Sequence, residues 1–297
     1  MGIVALGVRW LAPAKLNLFL RVLGRREDGR HDLQTVFQFI DLCDELEFSV
    51  TRDGKISCAS GLTDLSPEDN LCVRAAHLLR DTLQGDLGVA ITLHKHIPIG
   101  GGLGGGSSDA ATTLHALNQL WGAGLSVDTL AGLGLVLGAD VPVFVRGQAA
   151  WAEGLGERLS PMDLPEPWYV VVAPPVHVST GQVFQALAKG ASNAEERLTR
   201  YGHPLRIRDF LAHGAGNDLE PVVRRQYPDV DQALGWLANF GPAQMTGSGA
   251  CVYLAVSTEH EALAITSQLQ ENYRGFVCRG LNQSPLMKQL APETLDP

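Results

Sequence analysis

The stretch Pro98–Ala111, PIGGGLGGGSSDAA, puts six glycines into the seven positions 100–106, followed by two serines, an aspartate and a helix-forming run. Glycine in a regular element costs about 0.5–1 kcal/mol relative to alanine through lost backbone entropy. So many together mean that something lies too close to this backbone for side chains. The residues before it, GVAITLHKHI (Gly88–Ile97), read as a strand. Those after it, SSDAATTLHALNQLWG, read as a helix with Ser107 or Ser108 as N-cap and Gly122 as its stop. A strand, a glycine turn and a capped helix start present free backbone N–H groups at the positive end of a helix dipole. That is an anion site, and phosphate is its usual guest. A flexible glycine linker fits less well, because it would not be bracketed so tightly by a strand and a helix.

Three glycine patterns compete for the run. The Walker pattern fails, since no lysine follows the glycines. The dinucleotide pattern GxGxxG is formally met by Gly100, Gly102 and Gly105. It lacks the acidic residue expected about twenty positions on, where position 120 is leucine and the nearest acids are Asp109 and Asp128. The third pattern is P-x-x-x-G-L-[GS]-S-S-A, which Pro98-Ile99-Gly100-Gly101-Gly102-Leu103-Gly104-Gly105-Gly106-Ser107-Ser108-Asp109-Ala110 follows with extra glycines.

The rest of the chain bounds the answer. Its 297 residues make one large or two ordinary domains, and 45% hydrophobic with 19% charged residues is an ordinary soluble composition. A net charge of −9 argues against general affinity for nucleic acid or an anionic membrane, so an anionic substrate needs a local positive patch. Cys43, Cys58, Cys72, Cys251 and Cys278 show no zinc spacing and read as reduced, buried thiols. His94 and His96 flank Lys95 on one strand face, a surface pair rather than a metal site. The N-terminal MGIVALGVRWLAPAKLNLFL is broken by Arg9, Pro13 and Lys15, so it reads neither as a membrane span nor as a secretory signal, and the expected location is the cytoplasm.

Further strands are expected at KLNLFLRV, which alternation would give a face carrying Lys15, Asn17 and Phe19, and at Leu33–Ile40, Glu45–Val50, YVVVAP and FVCRGL. Helices are expected over PEDNLCVRAAHLLRDTL, SVDTLAGLGLVLG, TGQVFQALAKG, DVDQALGWLANF and EHEALAITSQLQENY, while ADVPVFVRG should turn into a strand. ASNAEERLTRYGHP is a polar connection, and the end, QLAPETLDP, is expected to fray. The proline and acidic cluster SPMDLPEPW marks the best boundary, dividing the chain into 1–160 and 161–297.

The glycine run resembles the phosphate loop of the GHMP kinases, which transfer phosphate from ATP to small-molecule hydroxyls. APAKLNLFL, LGADVPVF and TGSGACVY, in that order along the chain, resemble further motifs of one branch, as do DLQTVFQFIDLCDEL and EDNLCVRAA. That branch phosphorylates a diphosphocytidyl-linked methylerythritol. The resemblance runs from about Ala12 to about Pro285 and implies an α+β fold of two domains: a mixed α/β nucleotide-binding domain, and a smaller sheet with helices on one side, the cleft lying between them. It implies ATP as co-substrate together with Mg2+; the sequence singles out no carboxylate as a ligand for that ion, which leaves it to ATP and water. It also implies a small-molecule partner with a diphosphocytidyl group; the net charge speaks against nucleic acid or membrane partners, and a monomer or weak homodimer is expected.

The residues carry parts of that chemistry themselves. Phosphoryl transfer needs positioning, charge neutralisation and a hydroxyl able to lose its proton. Gly102 to Ser108 can cradle phosphates by N–H, with a serine hydroxyl added. Lys15 on an apolar strand is a cation in need of a partner. The resemblance pairs it with Asp140, the residue that would accept or assist removal of the acceptor proton. Asn17, two residues on, shares the face of Lys15. The branch binds its cytosine with an Asp-Gly-Tyr-His loop, which here reads Asp28-Gly29-Arg30-His31. Arg30 either stacks on the base as a guanidinium or points to solvent, leaving Phe184 as the main aromatic partner. Thr180 and Phe184 match a second base-contacting segment, Gly247-Ser248-Gly249 a loop approaching the substrate phosphates, and Asn70 and Lys95 flank the adenosine, Asn70 also reading as a helix cap. A nicotinamide-dependent dehydrogenase, a different GHMP kinase and a non-catalytic nucleotide binder are the competing readings.

Overall fold

Two long strands, β1 (Trp10–Arg25) and β2 (His31–Thr51), form an antiparallel hairpin whose register runs from Trp10↔Leu46 to Arg25↔His31. The computed structural model describes residues 8–60, 69–190 and 216–291. Residues 191–204 of the expected polar connection, 292–297 of the expected frayed end and 1–7 of the N-terminal segment lie outside the described residues. The sequence predicts separate strands at 33–40 and 45–50. The structure joins them, because Asp41 and Leu42 are taken up as a bulge where the register steps between Pro13 and Ala14. A second bulge, at Leu18, corrects the alternation expected for β1. Phe19 turns to the opposite face and stacks on Trp151 at 5.7 Å, and Leu20 takes the place beside Lys15 and Asn17.

Further strands are β3 (Ile56–Ala59), β4 (Gly88–His94), β5 (Ala150–Gly154), β6 (Arg158–Pro161), β7 (Trp168–Ala173), β8 (Gln244–Met245), β9 (Val252–Val256) and β10 (Arg274–Leu281). The second edge of β2 pairs in succession with β5, the end of β10 and β4. β10 then continues through β7 and β9 to β8, all antiparallel. The strand before the glycines, β4, is antiparallel to β2 and parallel only to the short β3. That is not the parallel βαβ unit of a dinucleotide fold, and it removes the structural context for the GxGxxG reading.

Helices α1 (Leu71–Leu83), α2 (Gly105–Leu120), α3 (Val127–Leu137) and α4 (Val141–Arg146) cover the first half, packing Leu79, Leu114 and Phe144 on Trp10, Phe39 and Phe48. Helices α5 (Thr180–Gly190), α6 (Glu220–Gln226), α7 (Pro228–Leu237) and α8 (Glu259–Thr266) cover one face of β7 and β9 through Val223, Leu234 and Ile265 on Val170, Val172 and Leu254. The alternate residues Tyr169, Val171 and Tyr253 pack against Leu16, Val36 and Trp151. The layers are helices, sheet, sheet, helices, the α+β architecture expected. The smaller sheet is covered on both faces. Helix α9 (Pro285–Leu290) returns to the first half, burying Leu286 in its core.

One element is corrected. Residues 141–146 form α4, not a strand. Pro142 sits in its first turn, where a missing N–H costs nothing, and Gly147 at φ +64 closes it. Val141, Val143, Phe144 and Val145 are all buried, so the run lacks the polar face that marks a surface helix.

Candidate active site

The glycine run leads from β4 into α2, with Gly104 at the cap position at φ +75 and no side-chain cap. Ser107 and Ser108 therefore lie in the first turn rather than at the N-cap. Leu103 is buried and anchors the loop, its carbonyl accepting from Lys15 N at 3.0 Å. Gly100 O and Gly101 O accept from Ala250 N and Cys251 N of the turn 246–251, at 3.2 and 3.0 Å. A Cβ on Gly102 would stand 2.3 Å from Thr246 O, and one on Gly104 2.7 Å from the Phe144 ring. Protein packed behind the loop thus accounts for glycine at these two positions. The open side faces a cleft of about 430 Å³ lined by Pro98, Gly100 to Ser107, Lys15, Asp140 and the turn 247–249. Ser107 faces that cleft. Ser108 does not: it is fully buried and its N–H donates to Gly104 O at 2.9 Å.

Lys15 stands on this wall. Its Nζ donates to Asn17 Oδ1 at 2.5 Å and Gly102 O at 2.8 Å, and lies 3.5 Å from Asp140 Oδ2 and 5.5 Å from the centre of the Phe37 ring. The lysine side chain is 3% exposed and the aspartate 37%. Burial lowers the Lys15 pKa, against the opposing attraction of Asp140. Asp140 occupies the position before α4 but does not cap it, so its carboxylate is turned to the cleft. Asn17 is held by Nδ2 donating to Thr35 Oγ1 at 2.8 Å and N donating to Thr246 Oγ1 at 2.9 Å.

On the other side of the loop, Lys95 Nζ donates to Asp109 Oδ2 at 2.8 Å and to Asp44 Oδ2. Burial would lower the Lys95 pKa, but Asp109 and Asp44 outweigh it and raise the value. Asn70 caps α1, its Oδ1 accepting from Cys72 N at 2.9 Å, and also lines the cleft.

The far end of the cleft brings Phe184, Thr180 and Ser248 together, Thr180 Oγ1 and Ser248 Oγ being 2.8 Å apart. His31 stacks on Phe184 with ring centres at 4.7 Å, and burial, then the Arg25 charge, lowers its pKa from 6.5. Arg30 is not in this group. Its Nε and N–H donate to Asp28 at 3.1 and 3.0 Å and the side chain is exposed, which selects the solvent-facing alternative for this residue. Gly247 is fixed by buried Asn217, whose Nδ2 donates to Met245 O and Gly247 O at 3.0 and 2.7 Å.

The sequence reading missed Thr35, Asp44, Asp109, Asn217 and Thr246, all buried polar residues tied to the site. Asp109 stood inside the glycine motif itself and Thr246 beside Gly247. The signal available was a polar residue in an otherwise apolar or glycine-rich run. Among the described residues no group of three His, Cys, Asp or Glu could hold a metal. His94 and His96 are exposed, and the five cysteines are free, with Cys43 and Cys58 only half-buried.

Known proteins resemble this arrangement over nearly its whole length. The GHMP kinases N terminal domain matches residues 70–148 and the GHMP kinases C terminal domain residues 194–275. A 4-diphosphocytidyl-2-C-methyl-D-erythritol kinase of Nitrosococcus oceani is 52% identical over 278 residues, covering 94% of this chain and 96% of its own. One of Alkalilimnicola ehrlichii is 52% identical over 284 residues, covering 96% and 94%. A crystal structure of 4-(cytidine 5'-diphospho)-2C-methyl-D-erythritol kinase superposes with a TM-score of 0.76 at 34% identity, over 92% of this chain and 99% of that one. A mevalonate kinase structure shares the fold, with a TM-score of 0.69 at 18% identity. With both domains matched and half of the residues identical across almost all of its length, this chain belongs to the GHMP kinase family.

Proposed function

We propose that this chain transfers the γ-phosphoryl group of ATP to the 2-hydroxyl of 4-diphosphocytidyl-2-C-methyl-D-erythritol, giving the 2-phosphate and ADP, a step of non-mevalonate isoprenoid precursor synthesis. The observation that carries this reading is the Lys15–Asp140 pair, 3.5 Å apart at the mouth of the glycine loop. In the transfer the acceptor oxygen forms its bond to the γ-phosphorus as the bond to the β,γ-bridging oxygen breaks, and the hydroxyl proton passes to Asp140. Lys15 stabilises the charge that grows on the acceptor and transferred oxygens. The backbone N–H groups of the first turn of α2, left without helical partners, cradle the phosphates with Ser107. Lys95 and Asn70 flank the adenosine.

Mg2+ fits as part of the incoming nucleotide, since the described residues form no carboxylate cage. When bound it neutralises charge on the β- and γ-phosphates. Phe184, His31 and Thr180 receive the cytosine, with Gly247-Ser248-Gly249 near the diphosphate. The chain divides functionally near residue 160, with α9 rejoining the first half. It works in the cytoplasm as a monomer or weak homodimer, without nucleic acid; among the described residues no helix is long and apolar enough to cross a membrane.

Purified protein given Mg-ATP and the cytidylated substrate should release ADP, with Asp140→Ala as control. Release no faster than that control defeats the proposal. A panel of other small alcohols should give no turnover, since the base subsite needs the cytidine group; turnover on mevalonate or homoserine alone would move the chain to another branch of the family.

A further inference from the structure

Lys95, Asp44 and Asp109 form a buried unit with one positive and two negative groups, and its charges do not balance. Asp44 is fully buried and has both oxygens committed: Oδ1 accepts from His96 N and Ile97 N at 2.6 and 2.9 Å, and Oδ2 from Lys95 Nζ. Asp109 is 3% exposed and gives only Oδ2 to Lys95; its Oδ1 is buried with no hydrogen-bond partner. Lys95 and Asp109 both line the cleft. Gly105, the first residue of α2, lies against the unit, and a Cβ there would stand 3.2 Å from Lys95 Nζ and 3.4 Å from Asp44 Oδ2. A net negative unit therefore sits directly behind the helix turn that faces the triphosphate.

We propose that Asp109 is a positioning residue that takes up a proton when the nucleotide binds, neutralising the unit and holding the Lys95 ammonium against the cleft wall. The proposal rests on the nucleotide reading above. A polyanion arriving on the other side of Gly105 raises the cost of the unpaired negative charge in a low-dielectric wall. Only Asp109 has an oxygen free to carry the proton, and that oxygen is Oδ1. Burial first, together with Asp44 and against the pull of Lys95, already pushes the Asp109 carboxyl up to about 7 in the free protein. The other groups near it are the buried Cys72 thiol of α1 and, across the loop, Lys15 and Asp140.

The test is calorimetric titration of the full chain with a non-hydrolysable ATP analogue and excess Mg2+ at pH 7.5. It is run in two buffers, one of small and one of large ionisation heat. Uptake of about half a proton or more is expected in the wild type, and Asp109→Asn should remove it. An infrared difference spectrum should show a protonated carboxyl C=O stretch appearing on binding, a readout that needs no variant. Lys95→Met should raise KM for ATP about tenfold with a smaller change in kcat. Binding of the analogue with no buffer dependence, or with equal uptake in Asp109→Asn, overturns the role of Asp109. No binding at all would instead overturn the nucleotide reading.

Discussion

Lys15 shows what one residue can demand of its surroundings. An ammonium at 3% exposure loses its hydration, and an unpaired charge so placed costs several kcal/mol. Here Asn17 Oδ1, Gly102 O and Asp140 replace the lost water. Replacing it with methionine keeps the length and removes the charge. Lys15→Met should cut kcat by about 10²–10⁴, the range of a positioned proton-transfer and charge-stabilising group, while KM for ATP moves little. Its pH signature has a definite sign. The folded pKa lies below the unfolded 10.5, so between the two values the unfolded chain binds more protons and stability rises with pH. Urea midpoints measured up to about pH 10 should carry this rising contribution in the wild type and lose it in Lys15→Met. An identical pH dependence in the two proteins would mean that Lys15 is not buried as a cation.

At the scale of the element, the glycine loop is a joint as well as an anion cradle. Gly102 has φ +76 and its Cβ would strike Thr246 O, so a side chain there strains the backbone and pushes the loop off the turn 246–251. Gly102→Ala should cost about 1–3 kcal/mol, lower Tm by several degrees and raise KM for ATP, because the displaced loop carries the phosphate cradle; kcat should fall as well, because Gly102 O also holds Lys15. Gly122→Ala is the control: its φ is +66 but the space around it is open, so it should lose some stability with KM unchanged. Equal effects of the two changes on KM would dissociate the loop from the nucleotide. The elements differed in how readable they were. α2 and its stop at Gly122 were legible, because a long helical stretch with a glycine end has a strong local signature. α4 was not, since five consecutive buried apolar residues, Val141 to Val145, carry no periodicity. The bulges at 41–42 and 18 were not either, because each is set by the partner strand.

At the scale of the whole molecule, the site is assembled from segments that only folding brings together. The sequence motifs marked Lys15, the glycine loop, Asp140 and the turn 247–249, and the structure places all of them on one cleft. What motifs could not carry were the buried contacts that hold the halves in register, since a hydrogen bond between residues 229 apart leaves no trace in local pattern. The bond from Asn17 N to Thr246 Oγ1 is such a contact. It ties β1 of the first half to the turn of the second, and Asn17 in turn fixes Lys15. Thr246→Val preserves shape and leaves the buried Asn17 N–H unpaired, which costs about 1–3 kcal/mol. The expected result is a lower denaturant midpoint with kcat reduced more than KM for ATP is raised, because Lys15 loses its support while the nucleotide loop keeps its other bonds. Thr246→Ser retains the acceptor and should recover most of both. If the serine variant is as impaired as the valine one, the methyl packing of Thr246 matters rather than its oxygen, and the route from the second half to Lys15 does not run through Asn17.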